Sequence, residues 1–476
     1  MRMKKLLLLP FIPLILTFTA FAQDKWDLKR CVEYAVANNI SIKQADVQAR
    51  LAKLTFDQSR LNQIPTLGVG GTIGINSGHT LNQSTYTLST QTYLYNSVAA
   101  QASVTVFNGF NIQRTIDANR YGWQALLQST EKLRNDISLN VANAYLSVLL
   151  DDQTAETARL KLKLSQDQLQ LTRKQVEAGT LPELNGAELE SQVAQDSSTY
   201  ISDKSNTIQA LLTLKAYMAL DASAPFEVDT PPVDQIPVEP LADLQPDAVY
   251  ALALTHQPLQ KFDALNIQSY QELVRAAKGA MYPTVSLGGS LTSYYLNTPQ
   301  ATYVPYTIID TVGHVVGTNA PVVGEGQGYN ILNSKVGYFK QLNQYFSQSV
   351  GFTVNIPIFN QGVLRTNYNK SKLNLQYQEL TRDQDNLTLK NNIYQAYALA
   401  VAALEKFEAQ KITLAQTQKS FDYAQKRYNI GMSNTIDYLT NQNNYFNARV
   451  NLLYDQYDYV FKMKVLEYYK GMGIRL

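Results

Sequence analysis

The chain has 476 residues, 41 basic and 39 acidic, and charged residues make up only 17% of it, against about 25% in an ordinary soluble domain. A net charge of +2 excludes the basic field that holds nucleic acid. One cysteine and three histidines exclude an internal disulfide framework and a cysteine-rich zinc site.

Arg2, Lys4 and Lys5 form a basic start, residues 6–16 an apolar core broken by Pro10 and Pro13, and Ala20-Phe21-Ala22 a small-residue cleavage site. This pattern reads as a signal peptide over 1–22, with an exported mature chain from Gln23. An N-terminal anchor is the alternative, disfavoured because the apolar core is short for a span. Cys31 lies beside Lys29 and Arg30, not in the small apolar setting of a lipidated cysteine. No later segment has 18 consecutive apolar residues, so only closed β-strands could place this chain in a bilayer.

The remainder is written twice. Pro65-Thr66 recurs as Pro283-Thr284, Phe107-Asn108 as Phe359-Asn360, Ala144-Tyr145 as Ala396-Tyr397, and Gly179 as Gly431. A first repeat over 23–222 and a second over 247–476 follow, joined over 223–246 by a linker whose six prolines forbid helix. Each repeat opens with helices, expected over 28–62 and 246–279. Strands come next: Leu67, Val69, Ile73 and Ile75 alternate with Thr66, Gly68, Thr72 and Asn76, and similar alternation covers 98–107, 284–296 and 348–358. Each is about as long as a tilted membrane strand; a soluble sandwich with its apolar faces inward is the alternative. Tyr93, Tyr95, Tyr294, Tyr295, Tyr338, Phe339, Tyr345 and Phe346 flank these strands and are expected to form an interfacial girdle. The extra stretch 297–347 of the second repeat is expected to be an external loop.

Long helices close each repeat. Residues 363–430 contain neither Gly nor Pro, and 110–178 only Gly122; the following segments 187–220 and 432–470 are equally free of both. A helix of about 65 residues is ~100 Å long. Apolar residues at three- and four-residue steps (Ile137, Val141, Ala144, Tyr145, Val148) give it a coiled-coil seam. Four strands are too few for a barrel within one chain, so symmetric copies must complete it.

With these features the sequence resembles the TolC-type outer-membrane efflux proteins over about 26–473. The carriers are the duplicated order, Phe107-Asn108-Gly109 and Phe359-Asn360-Gln361-Gly362 after each hairpin, and Arg427, Tyr428, Gly431, Asp437 and Leu439, which match the family's helical-hairpin turn. The resemblance implies a mainly α fold with membrane β-strands: four strands per chain in a trimeric twelve-stranded barrel, continued by an α-helical periplasmic tunnel. It implies an outer-membrane location in a Gram-negative bacterium and passive export of small molecules or polypeptides. Its implied partners are two sister copies, a periplasmic adaptor, an inner-membrane pump of RND, ABC or similar type, and outer-membrane lipid, with no nucleic acid and no cofactor. A non-conducting periplasmic coiled-coil scaffold is the alternative function.

The resemblance also implies sites. Gly179, Thr180 and Leu181 in one turn, and Gly431 and Met432 in the other, match the tips that meet the adaptor; the plain reading of both glycines is a left-handed helix cap. Pro182 and a turn expected to be two residues longer set the first tip apart. Asp437 matches an acidic residue facing the closed end of the pore, where three copies would make a cation-attracting ring; a solvated first-turn Asp is the alternative. Its counterpart is the neutral Asn185. Ser433 stands where the family has a basic gate residue, Thr440 where it has a second acid, and Tyr428 at a gate-proximal aromatic position, with core packing the alternative. His79, His256 and His314 have no metal spacing, and the glycine run 68–71 sits in a strand without the helix a dinucleotide site needs, so no catalytic or metal site is expected.

Overall fold

The computed structural model describes residues 25–82, 87–231 and 236–472; the expected signal peptide and Pro232 lie outside them. Contacts divide the chain into two compact units, Leu51–Trp123 with Asn266–Glu379, and Met1–Arg50 with Gln124–Leu265 and Leu380–Leu476.

The first of these is built on an antiparallel sheet. Its strands, β1 (Thr66–Asn82), β2 (Thr87–Phe107), β3 (Thr284–Leu296) and β6 (Ser347–Asn355), lie in the order β1-β2-β3-β6. Thr66 pairs with Ser103, Ser103 with Gly288, and Gly288 with Gly351, so the alternating Thr/Ser/Gly positions fall in common rows. Cross-strand hydroxyls bond directly along these rows: Thr66 to Ser103 at 3.1 Å, Ser290 to Ser349 at 2.8 Å and Thr292 to Ser347 at 2.7 Å. The opposite face is apolar and open, with Leu67, Val69, Ile73, Ile75, Val350 and Phe352 each 69–81% exposed.

Three strand expectations are corrected. The first hairpin runs past 76 and starts before 98, because Ser77-Thr92 and neighbouring pairs continue the ladder. The last strand stops at Asn355 rather than 358; Pro357 follows and has no N–H to give a ladder. The stretch 297–347 is no plain loop: β4 (Gln300–His314) and β5 (Pro321–Ser334) pair as a separate two-stranded sheet, and α7 (Tyr338–Gln344) follows. Tyr306 and Ile308 lie over Gly328 and Gly326 of the partner strand, so residues that read as loop-forming are covered cross-strand.

α7 takes the place of a strand beside the end of β3. Its Gln341, 1% exposed, accepts from the Leu296 N–H at 2.7 Å and donates to the Leu296 carbonyl at 2.9 Å. One side-chain amide thereby satisfies both backbone groups that an edge residue leaves open. Below the sheet, α6 (Pro258–Gly279) packs on the start of α3 (Asn111–Glu177). Asn111 Nδ2 donates to the Ala276 carbonyl and Ser269 Oγ to the Ala118 carbonyl, both at 2.8 Å. Gly109 (φ +64°) and Gly279 meet backbone to backbone. α2 (Ile40–Leu61) stacks Phe56 on Trp123 at 5.9 Å.

The other unit is helical. The two hairpins are α3 with α4 (Glu183–Met218) and α8 (Val363–Asn429) with α9 (Thr435–Lys470). Both pair a 67-residue helix with a 36-residue one. Both connecting turns, 178–182 and 430–434, have five residues, so the expected two-residue difference between them does not exist; the same cap closes both. α1 (Leu28–Asn38) and the linker residues Phe226, Val228 and Ile236 join a core with Val141, Tyr145, Leu149, Leu214 and Met218. Cys31 is fully buried in it, and burial pushes its thiol up to about 12, which leaves it inert as a nucleophile. α5 (Pro246–His256) contributes Val249 and Ala253 to a second core against Ile393, Ala400, Met463 and Leu466. Lys464 and Glu467, both buried, pair at 2.8 Å and hold the linker through the Pro237 carbonyl and the Glu239 N–H. Among its described residues the linker has no α-helix before Pro246, which opens α5, and one short 3-10 turn at Leu241–Asp243.

On α6, Asp263 is 4% exposed and its Oδ2 has no hydrogen-bond partner. Burial, and then the charge of Asp385, push its carboxyl up to about 6, against the opposing pull of Arg382. A carboxyl raised above its unfolded value favours folding below that value and loses the contribution as pH climbs through about 6. Asp263→Asn is therefore expected to raise stability by about 1–2 kcal/mol at pH 8 and to change it little at pH 4. Thermal unfolding at both pH values checks this, and an equal shift at both contradicts it.

Candidate functional site

Two surfaces carry the functional reading, the small-residue face of the four-stranded sheet and the ends of the helical hairpins. Along the described strands the first is lined by Thr66, Thr72, Ser97, Gln101, Ser103 and Ser290 with glycines between them, and it bears no acidic or basic side chain. Apolar residues form the opposite face, which gives the sheet one side suited to lipid and one suited to water.

Register splits the expected girdle. Tyr93 pairs with Asn76, Tyr95 with Gly74, and Tyr294 with Ser97, which places all three on the hydroxyl-rich face. Tyr345 stacks on Tyr294 at 4.2 Å and joins them. Tyr295 pairs with Asn96, itself opposite Ile73, on the apolar face. Tyr338 packs against Tyr295 at 5.0 Å and donates its hydroxyl to Asn96 Oδ1 at 2.8 Å. Phe339 lies beside it, 81% exposed. Of these seven, Tyr295, Tyr338 and Phe339 fit an interfacial girdle; Phe346, just before β6, is 55% exposed.

At the hairpin ends, Gly179 (φ +70°) and Gly431 (φ +73°) adopt the left-handed conformation. Gly179 N–H bonds the Val176 carbonyl and Thr180 N–H the Gln175 carbonyl; Gly431 and Met432 repeat this on Tyr428 and Arg427. These are paired Schellman caps, which use the free carbonyls of a helix end. Thr180 Oγ1 adds a bond to the Gln175 carbonyl at 2.8 Å. Asn434 caps α9 by accepting from the Asp437 N–H at 2.7 Å, whereas Pro182 gives α4 no side-chain cap. Asp437 is exposed in the first turn; Asn185 and Ser433 are half-buried. At these ends Leu184, Ile430, Met432 and Ile436 are 61–69% exposed, while Leu181 is half-buried.

Tyr428 is buried, 5% exposed, and stacks on Tyr438 at 4.9 Å. Its hydroxyl reaches Thr172 and Thr435, both at 3.3 Å, so it ties α3 to the start of α9. Behind this pair lies a polar network that periodicity does not reveal. Asp196, 1% exposed, takes Lys161 Nζ at 3.0 Å, Ser165 Oγ at 2.7 Å and Gln192 Nε2 at 2.8 Å. Gln442 Nε2 reaches Ser165 Oγ at 3.1 Å from α9. Burial, and then Tyr428 and Asp196, push the Tyr438 phenol up.

The sequence profile of the outer membrane efflux protein family matches residues 32–220 and 249–466. The chain belongs to this family. As an outer-membrane efflux protein it is 19% identical over 435 residues to toxin and drug export protein A of Aggregatibacter actinomycetemcomitans, covering 91% of this chain and 83% of that one. It is 21% identical over 354 residues to the toluene efflux pump outer membrane protein TtgC of Pseudomonas putida, covering 72% of this chain and 63% of that one. The solved structure of CusC superposes with a TM-score of 0.76 at 18% identity, covering 94% of this chain and 92% of that one. The efflux protein thus has the strand-plus-long-helix fold of the outer-membrane channels. Family and fold are those of channel proteins, not enzymes.

Proposed function

We propose that this efflux protein is the exit duct of a tripartite export system, working as a homotrimer. The observation that carries the reading is the four-stranded sheet with two free edges, β1 and β6, whose apolar face stands open. Each of its two sequence repeats, 23–222 and 247–476, supplies two strands, and three copies supply twelve. Twelve strands leave a water-filled bore, which the uncharged Thr/Ser/Gly face lines. The long helices continue the bore into the periplasm. At their ends Leu184, Ile430, Met432 and Ile436, with Gly179, Thr180, Leu181 and Gly431 shaping the turns, offer the contact surface for a periplasmic adaptor, which links the duct to an inner-membrane pump of RND, ABC or similar type. Energy enters at the pump; the duct moves no proton and breaks no bond.

Detergent extraction of the membrane fraction followed by single-channel recording in planar bilayers tests this. Discrete conductance from a detergent-extracted trimer is expected; a protein released without detergent that conducts nothing overturns it. Asp437 is proposed to ring the periplasmic end of the bore, with Asn185 and Ser433 the neutral residues at the other gate positions. Asp437→Ala is then expected to weaken block by multivalent cations about tenfold. Equal block by hexaamminecobalt in both proteins removes Asp437 from the gate.

A further inference from the structure

We propose that the extracellular end of the bore carries an aromatic binding site, built by Tyr93, Tyr95, Tyr294 and Tyr345, that takes planar aromatic solutes by stacking as they leave. The proposal rests on the duct reading, and it starts from register. Three of the four rings stand on strands that pair Tyr93 with Asn76, Tyr95 with Gly74 and Tyr294 with Ser97, on the same face as Thr66 and Ser290. They stand where the four-stranded ladder ends, β3 stopping at Leu296 opposite Tyr95, away from the start of α3; the β1–β2 pair alone runs on to Asn82 and Thr87. The fourth is brought in by α7, whose Gln341 clamp fixes the segment to β3.

The rings are held with their faces available. Gly74 has no side chain, and the Tyr95 ring lies 2.8 Å from the position its Cβ would take. The ring therefore covers the glycine. Tyr294 and Tyr345 stack nearly parallel, 18° apart, and Tyr294 remains 41% exposed. Hydrogen bonds fix the hydroxyls: Asn76 Nδ2 donates to Tyr93 at 3.2 Å and Gln300 Nε2 to Tyr345 at 2.7 Å. Rings restrained in this way give up little freedom when a solute stacks on them.

The surroundings select the solute class. Among the described residues this face has no carboxylate, ammonium or guanidinium on any of the four strands, so an anion finds no counter-charge. Ring faces are negative, which favours flat neutral or cationic aromatics. A weak, repeated contact suits a duct, because a solute must bind well enough to enter and loosely enough to leave.

Single-channel recording of the purified trimer, with Asp437→Asn as background so that the acidic ring does not contribute, tests the site. The probes are ethidium, a planar aromatic cation, and tetraethylammonium, a cation without a ring. Ethidium block is expected to weaken about tenfold in Tyr95→Leu/Tyr294→Leu, to persist in Tyr95→Phe/Tyr294→Phe, and to be unaffected by Tyr295→Leu on the other face. Tetraethylammonium, which ring faces attract through its charge without stacking, is expected to lose block by a smaller factor than ethidium in the leucine variant and to be unchanged in the phenylalanine variant. A conducting channel whose ethidium block ignores Tyr95→Leu/Tyr294→Leu, or responds equally to Tyr295→Leu, overturns the site and leaves the duct standing. A trimer that conducts nothing overturns both.

Discussion

Asp196→Ala is expected to destabilise the helical unit by about 4 kcal/mol, the usual cost of removing one partner of a buried ion pair. Asp196 is 1% exposed and Lys161 only 16%, so the variant leaves a mostly buried ammonium without its counter-charge. It also leaves the Ser165 hydroxyl and the Gln192 amide without their acceptor, and buried donors left unmatched carry their own desolvation penalty. Because Gln442 of α9 hangs on Ser165, the damage reaches a third helix. Adding Lys161→Met is expected to restore part of the loss, since an apolar side chain in a buried site tolerates the missing charge. Thermal unfolding in detergent decides: a melting temperature equal to that of the parent protein rules out the network as a support of the tip.

Gly279→Ala is expected to cost about 3 kcal/mol, at the upper end for one added methyl in a packed site. The methyl would overlap the Gly109 carbonyl, and Gly109 meets the same obstacle in return. A backbone carbonyl cannot swing aside as a side-chain end can, so α6 and the start of α3 must separate. Separation breaks the Asn111–Ala276 and Ser269–Ala118 hydrogen bonds that join them. Gly179→Ala, at a left-handed cap with nothing near its Cβ, is the comparison: it meets only the backbone preference, about 1 kcal/mol. Equal melting temperatures for the two variants would refute the close-packing account of Gly279.

Much of this protein follows from patterns that act locally along the chain. The absence of Gly and Pro over 363–430 dictates an unbroken helix, because nothing there withdraws an N–H or loosens the backbone. Gly179 and Gly431 set the reversals, because they reach the left-handed cap without strain. Alternation at 66–76 and 348–355 marks strands with one apolar face, and the duplication makes each statement twice. Register and pairing are different in kind. Whether a tyrosine faces lipid or bore changes with a one-residue slip, so Tyr294 and Tyr295 part ways only once β3 is laid against β2. Asp196 finds Lys161 and Ser165 because a turn folds α4 back along α3 at one particular offset. The glycines of 321–334 suit a loop by local propensity, and the aromatic and branched side chains of β4 lying across from them make the stretch a strand. Local propensity acts within a few residues, whereas these choices depend on which distant segment a strand or helix lies beside, and only the packed chain settles that.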